Sequence, residues 1–570
     1  MINFQQILED HYPHFTARHR RVTRVLSKFL GLLFYEKRFQ QFAETYPHLK
    51  GFDFVEGTLR YFDFHLRLRE AERARIPSTG RVVIAANHPI GSLDGLALLH
   101  LVRQVRPDVK VIANDMLMAV APLRPVLLPV DNMGGKTARQ NLKELRKHLE
   151  NEGALLIFPA GEVSRFGPSG VKDGAWQSGF VKLASATKSP ILPVFVKGRN
   201  SIFFYSLSFL AKPLSTAWLI REMFKQHHNT LDARVGCPVP FDVYDANKFS
   251  AKKLASMFRK HVYRLERGGR PLFRSVETVA PPESKLLLKQ ELHASELLGT
   301  TTDDKKIYLV HMNESPCVMR EIGRLRELTF RLVGEGSGLP RDIDRFDQYY
   351  KQLVLWDDPD QEIVGAYRIG DAAQIIAERG PESLYTHSLF KFSERTQPFL
   401  QQGLELGRSW VQPKYQTRHS LDYLWFGIGA YVKRHPHIRY LFGPASISRF
   451  YGSFAIASLA QFYALHYNKI DPGVCPRMPF EAKPEHQSDL LSAFTGLDLE
   501  QDAKALKDSL AEVGMSIPTL FKHYSQATEQ DGVVFTAFNV DPDFGDCVDA
   551  FVLADLSKLK PKKRQRYLGA

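Results

Sequence analysis

The chain has 570 residues, of which 44% are apolar and 11% aromatic, enough for more than one packed core and too many for a disordered polymer. Its formal net charge of +14 favours an anionic partner, and the absence of any helix-turn-helix, zinc-finger or RNP pattern argues against nucleic acid and leaves an anionic membrane face or an acidic protein. The four cysteines, Cys237, Cys317, Cys475 and Cys547, form no CxxC pair, which argues against a disulfide scaffold or zinc site and fits a reducing cytosolic compartment.

The first residues, MINFQQILEDHYPHF, show no basic segment followed by an apolar one, so no secretory signal is expected. No run reaches about 18 uninterrupted apolar residues, so no spanning helix is expected either. Residues 1–45 read as amphipathic helices. RRVTRVLSKFLGLLFYEKRF (20–39) sets Arg20, Arg21, Arg24 and Lys28 beside Val25, Leu26, Phe29, Leu32, Leu33 and Phe34. That pattern suits an interfacial membrane helix and a buried amphipathic helix equally.

Residues 46–265 alternate short β-type runs with helical spacing, the mark of an α/β domain whose sheet is covered by helices. GRVVIAANH, VKVIAND, RPVLLPVD, GALLIFPAG and SPILPVFVKG each read as a buried strand entering a loop, and LDGLALLHLVRQV and GGKTARQNLKELRKHLENE as helices between them. SIFFYSLSFLAKPLSTAWLIREMF (201–224), broken at Pro213, again suits a membrane-surface helix or a buried one. Residues 266–304 lose any period and read as a linker, with a connecting helix in SKLLLKQELHASELL.

A second α/β unit is expected over 305–570. KIYLVHM reads as a strand and CVMREIGRLRELTFRLV as an amphipathic helix ended by GEGSG. QLVLWDD and EIVGAYRIG form a hairpin, YLFGPASIS is a later strand, and GVVFTAFNVD and DAFVLADL close the sheet. The tail KLKPKKRQRYLGA reads as a solvated basic end or a contact for anionic lipid.

Chemistry concentrates first in NHPIGSLDG (87–95). Gly91 lets the loop fold back so that Asp94 reaches Nδ1 of His88, which fixes the tautomer and leaves the other nitrogen to take a proton from a hydroxyl. In FPAGEVSR (158–165), Gly161 permits close approach of backbone to a substrate. A loop histidine beside an aspartate is also a common structural arrangement.

Four ordered motifs, NHPIGSLD, PVDNMGGK (129–136), FPAGEVSR and SPILPV (189–194), resemble those of the glycerolipid acyltransferase family over roughly residues 60–240, in the branch often labelled hemolysin-like. The resemblance implies that His88 is the general base, that Asp94 orients it, and that an acceptor hydroxyl attacks an acyl thioester directly. It places Asn132, Lys136, Arg139, Gly161 and Glu162 at the substrate. Three positions depart from the pattern: five residues separate His88 from Asp94 instead of four, Ala160 stands where the family has Glu, and Asn132 and Met133 stand where it has a phosphate-binding Arg. The last departure implies an acceptor without glycerol phosphate.

The second unit has its own series. Arg326 and Phe330 lie one helical turn apart. Asp342, Asp344 and Asp347 follow in a loop, then Arg368, Glu405 and Arg408, and then Gly427 and Gly429 in WFGIGAY ahead of a helical stretch. Exposed N–H groups at a helix start can hold a phosphate such as that of phosphopantetheine. Taken singly these residues read as ordinary surface. In order, they resemble the GNAT branch that holds acyl-homoserine-lactone synthases and ornithine-lipid N-acyltransferases. The resemblance implies that Arg326 and Phe330 shape the acceptor and acyl pocket, that Asp344 and Asp347 bind the cationic end of an amino acid, and that Glu405 deprotonates the amine beside Arg368 and Arg408. Leu424 replaces the basic first residue of the GNAT signature.

The tandem resembles bifunctional acyltransferases that make ornithine lipid. It implies acyl carrier protein as donor (acyl-CoA is the alternative at the first site), ornithine or another amino acid as acceptor, and no metal or cofactor. It also implies a cytoplasmic, peripheral position on an anionic inner membrane face. Two other readings stay open: a single-site lysophospholipid acyltransferase with a non-catalytic second domain, and a non-enzymatic membrane-binding protein.

Overall fold

The computed structural model describes residues 27, 28, 31 and 35–569, apart from 114, 130–135, 169, 211, 246–248, 417 and 418. The chain forms two compact α/β units, residues 1–280 and 281–570.

In the first unit the strands are β1 (His65–Arg67), β2 (Val82–Ala86), β3 (Lys110–Ala113), β4 (Leu127–Pro129), β5 (Ala154–Ile157), the small hairpin β6 (Arg165–Gly167) and β7 (Gly170–Lys172), β8 (Ile191–Lys197) and β9 (Thr230–Val235). Seven of them form one sheet in the order β1-β9-β8-β2-β5-β3-β4, parallel except where β9 runs against β8. Strand β2 is buried along its whole length, because helices cover both faces of a parallel sheet. Val82, Ile84 and Ala86 enter one apolar layer and Val83 and Ala85 the other. Central strands β2 and β5 lie side by side and parallel, with Ala85 opposite Ile157. Their following loops, which carry NHPIGSLDG and FPAGEVSR, therefore leave the same edge of the sheet, where α/β folds place their sites.

In the second unit β10 (Glu296–Thr300), β11 (Lys306–Val310), β12 (Lys351–Asp357), β13 (Glu362–Asp371), β15 (Gly403–Val411), β16 (Tyr440–Ile447), β18 (Val533–Asp541) and β19 (Cys547–Asp555) form a sheet in the order β10-β11-β12-β13-β15-β16-β19-β18, and β14 (Phe390–Phe392) pairs with β17 (Val474–Pro476). The large sheet is antiparallel except for β15 and β16, which pair in parallel at Gly403–Glu405 and Tyr440–Phe442, where their ladder ends. Helix Pro316–Leu332 buries one side and helix Ser420–Arg434 the other.

Several expectations need correction. The connecting helix ends at Ala294, and the residues after it form β10, with Leu297 exposed and Leu298 buried. A short apolar run fits both periods, and pairing with β11 decides for the strand. The basic tail is not a free end: Tyr567 is buried and donates to Asp422, which also binds Arg566. Segment 201–224 is two helices, Ile202–Leu210 and Lys212–Lys225, with Pro213 in the first turn of the second, where its missing N–H costs nothing. Most of the 20–39 segment lies outside the described residues, which include helix Glu36–Thr45. No helix among the described residues is long and apolar enough to cross a membrane.

Candidate active sites

Strand β2 ends at Ala86, and Asn87 fastens the exit to β8 by bonds to the Val196 carbonyl and amide at 2.8 and 2.7 Å. Gly91 sits at φ +116°, a conformation open to glycine but strained for other residues, and the chain there enters helix Ser92–Arg103. Asp94, in the first turn of that helix, is fully buried. Its carboxylate accepts the amides of Ile90 at 3.1 Å and Gly95 at 2.9 Å, and its Oδ2 lies 3.1 Å from Nδ1 of His88. That last contact has ion-pair distance without full hydrogen-bond alignment. Phe158 of the β5 loop stacks on the imidazole with ring centres 4.3 Å apart. No hydrogen-bond partner of Nε2 occurs among the described residues, and 19% of the side chain is open to solvent. Burial pulls the imidazole pKa down, but Asp94 and then Asp173 outweigh it and hold the pKa above the usual histidine value.

Asp173 is a residue that sequence reasoning passed over. It is buried and its carboxylate takes three donors: the His88 amide at 3.3 Å, the Ser164 hydroxyl at 2.5 Å and the Trp176 indole N–H at 2.9 Å. The Ser164 amide in turn donates to the His88 carbonyl at 2.7 Å. One carboxylate thus clamps the His88 loop to the FPAGEVSR loop. The only sequence signal for it was its place in a short KDGAW turn after two glycines.

The other positions named for this site divide. Gly161 has φ +67° and open space around it. Glu162 is half-buried and pairs with Arg165 at 3.2 Å. Asn132 lies outside the described residues. Lys136 opens helix Lys136–Glu150 and Arg139 lies in its first turn, but neither side chain is described.

In the second unit the Arg and Asp series forms one buried network instead of a surface. Arg326 donates to Asp347 at 2.9 Å and to Gln352 at 2.7 Å, Arg368 to Asp344 at 2.7 Å, and Nε of Arg408 stands 3.1 Å from Asp342. Burial raises the Asp347 pKa, but Arg326 and Arg368 overcome it and hold that carboxyl below the ordinary range. Burial keeps Asp342 above the ordinary range against Arg408. Asp344 and Asp347 also cap the turn Arg345–Gln348. Their charges are already matched by arginines, so they do not offer a free site for a cationic substrate. Phe330 is buried and packed edge-on against Phe544 in the core.

Glu405 also changes role. It is fully buried, and its two oxygens accept the Tyr350 hydroxyl and the amides of Tyr385 at 3.2 Å and Thr386 at 2.6 Å. This carboxyl braces helix Tyr385–Leu389 on the sheet, with both of its oxygens already engaged by the protein. Gly427 and Gly429 are not at a helix start. They lie in the middle of helix Ser420–Arg434, where a Cβ at Gly427 would come within 2.6 Å of Leu353 and one at Gly429 would strike the Tyr567 carbonyl. They are glycines because the sheet and the last helix pack against them.

Arg408 stands at φ +48°, beside the bulged pairing of β13 with β15 and just past the end of the β15/β16 ladder. It donates to Tyr385 Oη at 2.8 Å. Around it lie Glu335, Asp541 and Asp549, which have no ion pair of their own among the described residues. Burial pushes Glu335 up to about 8 and Asp549 up to about 7, and it raises Asp541 as well. Sequence pattern missed these three because they come from separate elements.

The chain matches the family described as Acyltransferase over residues 7–268 and the Acetyltransferase (GNAT) domain over residues 325–426. It is similar to the Glycine N(alpha)-acyltransferase of Phocaeicola vulgatus, 33% identical over 307 residues, which cover 51% of this chain and 93% of that protein. It is similar to the Lyso-glycine lipid O-acyltransferase of the same organism, 28% identical over 255 residues, covering 44% of this chain and 90% of that protein. The L-ornithine N(alpha)-acyltransferase of Rhodobacter capsulatus is 31% identical over 275 residues, covering 46% of this chain and 94% of that protein.

Proposed function

This chain belongs to the acyltransferases, with an acyltransferase domain followed by a GNAT domain, and from that premise we propose that it makes a two-chain aminolipid in two successive acylations. The C-terminal unit moves a 3-hydroxyacyl group from acyl carrier protein to the α-amine of an amino acid. The N-terminal unit then esterifies the new hydroxyl. The observation that carries this reading is the coexistence on one chain of likenesses to an amino-acid N-acyltransferase and to a lyso-lipid O-acyltransferase. The family argues against a non-enzymatic membrane protein, and the likeness of the second unit to amino-acid N-acyltransferases supports a catalytic role there over a purely positioning one.

At the first site Nε2 of His88 takes the hydroxyl proton while Asp94 steadies Nδ1. The oxygen attacks the thioester carbonyl, the C–S bond breaks, and the imidazolium returns its proton to the departing thiolate. At the second site the amine attacks a thioester to give an amide and a free thiol. Three arginines already face Asp342, Asp344 and Asp347, so Glu335, Asp541 and Asp549 remain to meet a cationic acceptor. One of these carboxyls takes the proton of the reacting amine and the others hold a side-chain ammonium. This excess of carboxyls favours ornithine. Glycine is the second reading, favoured by the names of two relatives.

Acyl carrier protein is acidic, and the chain's +14 charge suits both it and an anionic inner membrane face. Mass spectrometry of lipids from cells expressing the chain tests the reading, with labelled ornithine and labelled glycine fed in parallel. A phosphorus-free two-chain aminolipid should appear, and His88→Ala should leave its mono-acylated precursor. A His88→Ala strain that still makes the two-chain lipid overturns the assignment.

A further inference from the structure

Helices Ile202–Leu210 and Lys212–Lys225 form a hairpin seated on the first site. Leu219 packs near Gly91 of the His88 loop, and the Arg165 guanidinium bonds Ser208 in one helix and, at 2.9 Å, Ser215 in the other. Phe203 and Trp218 pack against each other across the hairpin at a tilt of 47°, with ring centres 4.9 Å apart. The outward side is apolar to an unusual degree: Ile202 is 85% exposed, Phe209 91% and Leu210 84%, and Phe166 in strand β6 of the small β6–β7 hairpin is 70% exposed. So many exposed large apolar side chains on one short segment mark an interaction site.

Charge selects the partner. Between residues 201 and 225 the sequence has Lys212, Arg221 and Lys225 and a single carboxylate, Glu222. Glu222 is buried and engaged by the Ser201 amide at 2.7 Å, the Ser201 hydroxyl at 2.8 Å and Lys225 at 2.8 Å. The hairpin therefore carries more basic than acidic residues, exposes apolar side chains and has no exposed carboxylate, a balance that matches the headgroups and acyl edge of an anionic bilayer.

We propose that this hairpin, with Phe166, is the face by which the first unit docks on an anionic lipid bilayer, so that the lyso-lipid acceptor passes to His88 without crossing water. The docking deepens the O-acylation reading and rests on it for the identity of the acceptor.

The test is flotation of the full chain with phosphatidylglycerol–phosphatidylethanolamine vesicles, beside a Phe166→Ser, Phe209→Ser, Leu210→Ser triple variant. The variant's bound fraction should fall roughly tenfold or more. Its O-acylation of vesicle-borne acceptor should fall with it, while a short-chain soluble acceptor is turned over at the parent rate and the unfolding midpoint holds. Undiminished vesicle binding by the variant overturns the proposal, as does a parent dimer that the substitutions split without any effect on flotation. If the parent floats, the variant does not, and neither acylates any acceptor, docking stands and the O-acylation reading fails.

Discussion

His88 Nδ1 and Asp94 Oδ2 stand 3.1 Å apart across a turn whose positive φ at Gly91 favours glycine. Burial draws the imidazole pKa down, and Asp94 followed by Asp173 reverses the sign. A base works only when neutral, so O-acylation should rise as pH passes a value above that of a free histidine. Asp94→Asn removes the main opposing charge and should move this acid limb to lower pH while the maximal rate drops. His88→Ala should cost about 100- to 10,000-fold in O-acylation and leave N-acylation intact. Rates of each half-reaction against pH are the measurement.

Asp173 reaches His88 through its backbone and through its field, without standing where a substrate would. Asp173→Asn should lower the O-acylation rate and shift the same limb in the same direction as Asp94→Asn, by less. Mispairing three buried donors should also cost roughly 1–3 kcal/mol of stability. A pH profile identical to the parent's, with only the unfolding midpoint lowered, would mean that the clamp is structural alone.

Gly427 and Gly429 separate packing from ligand binding. Gly427→Ala should destabilise the second unit by about 1–3 kcal/mol through its contact with Leu353, with the KM for acyl donor unchanged. A phosphate cradle would show the reverse, a raised KM at parent stability. Thermal unfolding and donor titration decide between them.

Glu335 and Asp549 make the second unit pH-sensitive. Their folded values, about 8 and about 7, lie above the roughly 4 of an unfolded carboxyl, so the folded chain binds more protons between those limits. The stabilisation is fully present below about pH 4 and is lost as pH rises through 7 to 8. The melting temperature should therefore fall between pH 5 and pH 8, and Asp549→Asn should flatten that slope. Bound cationic acceptor should flatten it too, since it supplies the missing countercharge.

The sequence by itself determined the two α/β units and the pairing of His88 with Asp94 at the first site. Buried parallel strands are continuous apolar runs, and His88, Gly91 and Asp94 lie within seven consecutive residues, so local chain geometry brings them together. The hairpin of β12 and β13 was legible for the same reason. Sequence order misled where a residue's neighbours come from elsewhere. Glu405 looks like a free acid until Tyr350 and the start of helix Tyr385–Leu389 close over it, and WFGIGAY looks like a phosphate loop until Leu353 and Tyr567 fill the space beside it. Asp344 and Asp347 look available until three arginines from three elements meet their network. Asp173 and the set of Glu335, Asp541 and Asp549 acquire meaning only in three dimensions, because long-range packing alone fixes the distance between charges on separate strands and turns.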